Sequence, residues 1–257
     1  MWLIAAALFG LAKWRTWRSA NSPGFDFRAL AYFFLWPGMD APAFLARDPA
    51  IPRRGKSELL RPLLRLAFGA FLLWVVARRF VRTAPLLAGW VGMFGLILML
   101  HFGIFDLISA GWRRTGVKAE PVMNRRSVST SLAEFWGARW TRAFRDLARV
   151  SIFDPLAPRF GARTATLAVF VFSGLLHELV ISLPAAGGYG LPTCYFMLQG
   201  GGLLAQNSRW SRRHGLRRSW RGWLFTMACV GPPSFWLFHP LFVRRVILPF
   251  LAALHAS

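Results

Sequence analysis

His177 and Glu178 are the residues whose position most strongly suggests chemistry, because both lie inside a long hydrophobic segment. An ionisable side chain is costly in a membrane helix and usually faces a partner or a water-filled cavity. A neutral imidazole is the least costly of these groups, and it suits proton transfer near neutral pH. Glu178 points about 100° away around the helix, so the two side chains need not interact. The residues alone leave two interpretations of His177: a functional proton acceptor, or a hydrogen bond that fixes helix packing.

A second intramembrane pair consists of His101 and, five residues later, Asp106. Here a solvated position near the end of a span competes strongly with a functional role, because water reaches ionisable groups there. His239 precedes a proline and His214 lies in a basic loop, so we expect both at the interface or in solvent.

The composition places the chain in a membrane. Of its 257 residues, 55% are hydrophobic and 16% are charged, whereas soluble domains average about 45–50% and about 25%. The apolar residues form long runs, which predicts an all-α polytopic transmembrane helix bundle, with residues 1–257 in a single membrane domain. The two cysteines lie in apolar surroundings without ligand-type spacing, so we expect no metal site.

The formal charge of +22 is carried by clusters of basic residues at the ends of the hydrophobic runs. This placement indicates membrane lipids as partners and argues against nucleic acid, while an anionic substrate stays compatible with it. Arginine-rich Arg113–Arg163 and Arg209–Arg221 are expected in the cytoplasm, and the uncharged turn Pro184–Pro192 outside. Richness in arginine and alanine weakly indicates a bacterial genome, and hence a bacterial cytoplasmic membrane.

The hydrophobic runs predict five spans, the last of them interrupted by Gly231-Pro232-Pro233, and two short terminal segments. The predicted spans are Leu66–Ala77, Ala84–Trp112, Thr164–Leu183, Gly190–Gln206 and Trp220–Val243. The terminal segments are Met1–Ala12, expected as a short membrane-embedded helix, and Val246–His255, which is too short to span.

Two further segments are expected to lie at the interface. Tyr32–Leu45 is aromatic and is broken at Pro37-Gly38, which suits an interfacial or re-entrant turn. Ser131–Val150 repeats aromatic and apolar residues at spacings of three to four and places arginines largely elsewhere, which predicts an amphipathic interfacial helix. Ser131 and Glu134 form a capping-box pattern at its start.

Three motifs resemble, in order and spacing, the wax synthase branch of the membrane-bound O-acyltransferases. They are FWGARW at Phe135–Trp140, FDP at Phe153–Pro155 and SGLLHE at Ser173–Glu178. WPGMDA at Trp36–Ala41 and HFGIFDL at His101–Leu107 resemble bacterial members, so that the resemblance covers roughly residues 30–240.

The resemblance implies acyl transfer from an acyl-CoA-like thioester to the hydroxyl of a long-chain alcohol or other lipid, without a bound cofactor. His177 would be the general base, and an imidazole shielded from competing water can activate a weakly nucleophilic alcohol. Supporting residues would be Glu178, Trp136, Trp140 and Thr141, the last standing where the family often has asparagine. Arg139, Arg142 and Arg145 would suit the phosphates of acyl-CoA.

Two alternatives stay open from the sequence. One is a proton-coupled transporter or relay that titrates His177 with Glu178, or His101 with Asp106. The other is a catalytically inactive relative, for which the threonine at position 141 is the main argument.

Overall fold

The computed structural model describes residues 1–20, 24, 26–46, 57–122, 129–139, 148–213, 215–216 and 219–256. Within these ranges the secondary structure is helical and contains no strand, so the predicted all-α class is confirmed. Among the described residues, three helices are long and apolar enough to cross a membrane, and a pair of helices bent by 53° makes a fourth if it counts as one span. We call the three helices span 1, Glu58–Phe80, span 2, Pro85–Arg114, and span 3, Arg149–Ala185; the bent pair is Trp220–Leu237 with Pro240–Ala253.

Shorter helices accompany the spans, and several helices contain stretches of wider, π-helical turns. The shorter helices are α1 (Trp2–Arg18), α2 (Phe27–Leu35), α3 (Ala41–Leu45), α4 (Leu132–Glu134), α5 (Leu191–Gln206), α6 (Arg209–Arg213), α7 (Trp220–Val230), α8 (Ser234–Leu237), α9 (Pro240–Phe242) and α10 (Leu248–Ala253). The π-helical stretches are Leu72–Ala77, Leu98–Ile104, Phe135–Arg139, Arg149–Phe153, Glu178–Ser182 and Val243–Ile247.

Three of the five predicted spans, Leu66–Ala77, Ala84–Trp112 and Thr164–Leu183, correspond to spans 1 to 3. The predicted span Trp220–Val243 falls in the bent pair, and Gly190–Gln206 forms α5, which has 16 residues and is not among the three. Span 1 is longer than Leu66–Ala77 because it takes in arginines at both ends, whose long side chains can reach water. Span 3 starts earlier than Thr164 and is broken at Gly161, whose φ of 81° and ψ of 155° suit only glycine. The break before α8 lies at the predicted Gly231-Pro232-Pro233, since proline cannot donate the hydrogen bonds that a helix needs.

Residue packing divides the chain into two compact units. Unit 1 is Met1–Ala5 with Asn124–Val246, and unit 2 is Ala6–Met123 with Ile247–Ser257. Unit 1 contains span 3 and the helices α4 to α9, and unit 2 contains spans 1 and 2 with α2, α3 and α10. The single membrane domain stays a prediction.

In unit 2, spans 1 and 2 approach each other backbone to backbone at two glycines. A methyl group built on Gly95 would lie 2.8 Å from the carbonyl oxygen of Gly69, and one on Gly69 would lie 2.7 Å from that of Gly95. Small residues allow such contacts in membrane helices, where close packing replaces the hydrophobic effect as the source of association. At one end of the pair, Arg113 of span 2 forms an ion pair with Glu58 of span 1.

We expect Gly95→Ala to lower the free energy of unfolding by about 1–3 kcal/mol, because the added carbon must displace backbone atoms. Gly111, in the last turns of span 2, has open space around it. Gly111→Ala should therefore stabilise the chain slightly through helix propensity. Chemical unfolding in detergent measures both, and equal effects of the two substitutions would contradict the close approach.

The break predicted at Pro37-Gly38 is present between α2 and α3, and Lys13 of α1 contacts the end of α2 beside it. The ammonium group of Lys13 donates to the carbonyl oxygens of Tyr32 and Trp36 at the end of α2. It also lies 4.0 Å from the centroid of the Tyr32 ring, while the Trp36 ring stacks on Phe44 of α3 at 5.6 Å. Lys13 lies outside the three spans, and burial lowers its pKa to about 7.

The lowered pKa of Lys13 predicts how stability depends on pH. The unfolded chain holds the lysine proton up to a pKa near 10.5, whereas the folded chain gives it up near 7. The burial penalty is therefore complete below pH 7 and is relieved as the pH rises toward 10. The melting temperature in detergent should rise from pH 6.5 to 9, and this rise should be smaller in Lys13→Met; an identical rise in both proteins would contradict the prediction.

Candidate active site

The site lies in unit 1, where span 3 packs closely against α5. A methyl group built on Gly174 of span 3 would lie 2.7 Å from Cα of Thr193. One built on Gly200 of α5 would lie 3.1 Å from the ring of Phe170 in span 3. Glycine on both helices thus lets their backbones meet.

His177 stands near the end of the regular part of span 3 and is partly buried. Its Nδ1 lies 2.6 Å from the carbonyl oxygen of Ser173, one turn earlier in the same helix. A carbonyl oxygen can only accept, so this contact places a proton on Nδ1. In the neutral imidazole Nε2 then carries the lone pair, and among the residues described here it has no hydrogen-bond partner. The fold therefore selects the tautomer in which Nε2 can act as a base.

One aromatic ring packs on the imidazole of His177, and two further rings pack behind it. The ring of Phe196, on α5, lies 4.4 Å from the imidazole between centroids. Trp136 packs against Phe196 at 5.7 Å and against Phe170 at 5.9 Å. Phe170 and Phe196 are almost fully buried. The structure thus brings Trp136, which lies 41 positions before His177 in the sequence, to the same side of the site, and the neighbourhood of the base is apolar.

Gln199 supports the aromatic wall, which consists of Phe170, Phe196 and Trp136. The sequence analysis did not identify Gln199 as a site residue. The side chain is fully buried. Its Oε1 accepts from Nε1 of Trp136 at 3.3 Å, and its Nε2 donates to the carbonyl oxygen of Cys229 in α7 at 2.6 Å. Because a buried amide with both ends bonded has few alternative orientations, Gln199 fixes the indole of Trp136. The available signal was an amide one turn after Phe196 in a largely apolar helix.

The start of the predicted amphipathic helix is well defined. Oγ of Ser131 accepts from the backbone N–H of Glu134 at 3.1 Å, as the capping pattern predicts. The carboxylate of Glu134 reaches one residue further back than expected and accepts from the N–H of Thr130 at 2.9 Å. This cap leads directly into Phe135–Arg139, so it sets the direction from which Trp136 approaches α5.

Glu178 caps another helix. Its Oε1 accepts from the N–H of Gly190 at 3.0 Å, from the N–H of Thr193 at 3.1 Å and from Oγ1 of Thr193 at 2.9 Å. Gly190 is the residue that precedes α5, so Glu178 satisfies backbone donors at the start of that helix. A carboxylate is favourable there because it also faces the positive end of the helix dipole. The contacts of Glu178 thus serve the start of α5, and its supporting role in the site stays a prediction.

The remaining predicted site residues fall into two groups. Trp140, Thr141, Arg142, Arg145 and His214 lie outside the described residues, as does the side chain of Arg139.

His101 and Asp106 lie in span 2, which belongs to unit 2. Oδ2 of Asp106 lies 3.4 Å from Nη1 of Arg65 in span 1, and the ring of His101 packs edge-on against Phe105 at 5.3 Å. Asp106 is therefore engaged in an ion pair between two spans.

Comparison with known proteins identifies the part of the chain that holds this site. Residues 119–198 match the sequence model of the Membrane bound O-acyl transferase family. The match includes Trp136, His177, Glu178 and Phe196. This segment of the chain is similar to the membrane-bound O-acyltransferases. The resemblance inferred from the motifs is thereby confirmed, and the apolar spans agree with an integral membrane protein.

Named relatives come from plants. A probable long-chain-alcohol O-fatty-acyltransferase 7 of Arabidopsis thaliana is 28% identical over 144 residues, which are 51% of this chain and 42% of the relative. The long-chain-alcohol O-fatty-acyltransferase of Simmondsia chinensis is 30% identical over 142 residues, 51% of this chain and 40% of the relative. Acyl-CoA–sterol O-acyltransferase 1 of Arabidopsis thaliana is 32% identical over 71 residues, 25% of this chain and 21% of the relative. The aligned part of the chain thus spans about two fifths of the length of the two alcohol acyltransferases.

The cap made by Glu178 predicts a graded effect of substitution. Glu178→Ala leaves the N–H groups of Gly190 and Thr193 without their acceptor and should lower the free energy of unfolding by about 1–3 kcal/mol. Glu178→Gln keeps an oxygen that accepts and should lose less than half as much. Unfolding in detergent measures both variants. If Gln destabilised as much as Ala, hydrogen bonding to Oε1 would not be the source of the stability.

Proposed function

We propose that this chain is a membrane-bound O-acyltransferase that moves a fatty acyl group from an acyl-CoA-like thioester to the hydroxyl of a long-chain alcohol or another lipid. The observation that carries the proposal is the tautomer of the His177 imidazole. Its Nδ1 proton is held by the Ser173 carbonyl, so the lone pair is on Nε2, in an apolar setting, within the region that matches the acyltransferase family. The names of the relatives, which act on long-chain alcohols and a sterol, supply the substrate class.

The proposed reaction needs one base and consumes no net proton. Nε2 of His177 takes the hydroxyl proton while the alcohol oxygen attacks the thioester carbonyl carbon. The carbon–sulfur bond then breaks, and the thiolate leaves with the proton that the imidazolium returns. Ester and free thiol are the products. The aromatic wall of Phe196, Trp136 and Phe170 favours this outcome over hydrolysis, because it keeps water away from the thioester.

Binding of the donor is proposed from charge. Arg139, Arg142 and Arg145 follow the aromatic segment in the sequence, and guanidinium groups pair well with the phosphates of acyl-CoA. Thr141 is proposed to take the place of the asparagine often found in the family, and Trp140 to extend the aromatic wall. A bacterial cytoplasmic membrane as the location rests on composition alone, and the named relatives are plant proteins.

The contacts favour an enzyme over a proton relay. A relay through His177 and Glu178 needs a carboxylate that changes protonation and partners. Oε1 of Glu178 instead receives three hydrogen bonds at the start of α5, which hold it in one arrangement. Asp106, the carboxylate of the other predicted relay pair, forms an ion pair with Arg65.

The deciding experiment measures ester formation by the purified protein in detergent or vesicles, with radiolabelled acyl-CoA and a panel of fatty alcohols, sterols and diacylglycerols. We expect ester from at least one acceptor, and a decrease of kcat by about 10²- to 10⁴-fold in His177→Ala because general-base catalysis is lost.

A matched control is His255→Asn. His255 is exposed, lies in unit 2 and has a positive φ of 54°, which asparagine tolerates. This variant should retain wild-type activity. Equal ester formation by wild type and His177→Ala would contradict the role of His177, and no ester from any acceptor would favour an inactive relative.

A further inference from the structure

Gln199 connects the aromatic wall to a helix break elsewhere in unit 1. Helix α7 ends at Val230, immediately before Gly231-Pro232-Pro233. In a continuous helix the backbone N–H of residue 233 would donate to the carbonyl oxygen of Cys229, but proline has no N–H. The side-chain Nε2 of Gln199 donates to this oxygen instead, at 2.6 Å. Gln199 therefore replaces a hydrogen bond that the break removes.

Tyr195 contacts the same helix end and lies one turn before Gln199 on α5, so the two side chains share a face. Its hydroxyl donates to the carbonyl oxygen of Val230 at 3.5 Å. In a continuous helix that oxygen would accept from the N–H of Ser234, which here donates to Gly231. The Tyr195 hydroxyl and the Gln199 amide thus both hold the end of α7, and the amide also reaches the aromatic wall.

Trp136 is the member of the wall that Gln199 holds. Its indole N–H donates to Oε1 of Gln199 at 3.3 Å. Phe170 and Phe196 are almost fully buried, whereas Trp136 is only partly buried and packs on both of them. A partly buried ring can turn unless it is held, and a hydrogen bond to a fully buried amide fixes its angle. The position of Trp136 therefore sets how tightly the wall closes behind the ring that packs on His177.

His239, another buried polar side chain of unit 1, has contacts of a different kind. The sequence predicts an interfacial or solvated position for it, but only 1% of the residue is exposed, so this prediction is wrong. Nδ1 of His239 accepts from the backbone N–H of Phe242 at 3.2 Å and caps the short helix α9, and a methyl group built on Gly188 would lie 2.4 Å from Nε2. These contacts hold backbone segments, whereas Gln199 contacts a ring of the wall.

We propose that Gln199 is a positioning residue that keeps water from the acyl thioester and acts through the indole of Trp136. This inference rests on the proposed acyl transfer. If water replaces the alcohol, its oxygen attacks the thioester carbon, the carbon–sulfur bond breaks, and the proton taken by His177 passes to the leaving thiolate. The products are then free fatty acid and thiol. The same base serves both reactions, so exclusion of water decides between them.

The test measures both labelled products, ester and free fatty acid, from radiolabelled acyl-CoA and the best alcohol acceptor. Gln199→Met keeps a side chain of similar length, removes the N–H donor and replaces the oxygen by a weakly accepting sulfur. We expect the ratio of free acid to ester to rise about fivefold, the effect of one hydrogen bond. Hydrolysis that persists in His177→Ala is subtracted as background. A ratio equal to that of the wild type would overturn the proposal.

The product ratio separates positioning from a loss of folded protein. Unfolded molecules make neither product, so a variant that is merely unstable lowers both products and leaves their ratio unchanged. The matched control is Tyr195→Phe, which removes the hydrogen bond to Val230 and keeps the ring. This variant should have the wild-type ratio. If Tyr195→Phe raised the ratio as much as Gln199→Met, the anchoring of α7 would be the cause, and the role of Trp136 would be overturned.

A third variant tests the route through the indole. Trp136→Phe removes the N–H that Gln199 accepts from and should itself raise the ratio of free acid to ester. In that background, Gln199→Met should raise the ratio by less than about twofold, because the hydrogen bond is already absent. A further fivefold rise would show that Gln199 acts by another route and would overturn the proposal.

The contact itself can be tested without activity. In a double-mutant cycle of unfolding in detergent, Gln199→Met and Trp136→Phe together should change the unfolding equilibrium constant at least about twofold less than the product of their separate effects, because they break the same hydrogen bond. Independent effects would overturn the contact. A wild type that makes neither ester nor free acid would contradict the proposed function, and the cycle would then decide on the contact by itself.

Discussion

Span 3 and α5 lie so close together that their backbones touch, and the candidate site depends on this contact. The absence of a side chain at Gly174 lets Thr193 approach closely, and its absence at Gly200 lets the ring of Phe170 do the same. A membrane offers no hydrophobic effect between helices, so such contacts and interhelical hydrogen bonds must hold them. At the end of the pair, the carboxylate of Glu178 adds a charged cap to α5. These contacts fix the register in which Phe196 meets His177.

The two neighbouring ionisable residues in span 3 have different tasks because their side chains leave the helix in different directions. His177 turns Nδ1 back to its own helix and leaves Nε2 open. Glu178 turns to α5, where its Oε1 accepts from the backbone N–H groups of Gly190 and Thr193 and from Oγ1 of Thr193. A base, His177, and a carboxylate with a structural role, Glu178, can therefore occupy adjacent positions. Because Glu178 is hydrogen-bonded to the start of α5, a charged residue can be retained within a hydrophobic helix without a catalytic role.

Two buried amide side chains of unit 1, Gln199 and Gln206, connect separate segments of the chain. Gln199 joins Trp136 to α7, and Gln206 accepts from the N–H of Leu132 while donating to the carbonyl of Leu216. Such fully bonded amides favour one arrangement of the helices over others, because any other packing leaves them unsatisfied in an apolar medium. The aromatic wall around His177 is held by this network as well as by ring contacts.

The sequence by itself determined the all-α membrane class, three of the spans, the break at Gly231-Pro232-Pro233, the family resemblance and the choice of His177 as the leading candidate. Each follows from local properties: runs of apolar residues, the missing N–H of proline, and the cost of an ionisable group in lipid. Only the tertiary structure decided the tautomer of His177, the cap made by Glu178, the part played by Gln199 and the burial of His239. These depend on which atoms meet across helices far apart in sequence. His239 shows the reason most clearly, since the proline that follows it suggests an interfacial or solvated position, whereas the fold buries its imidazole against Gly188.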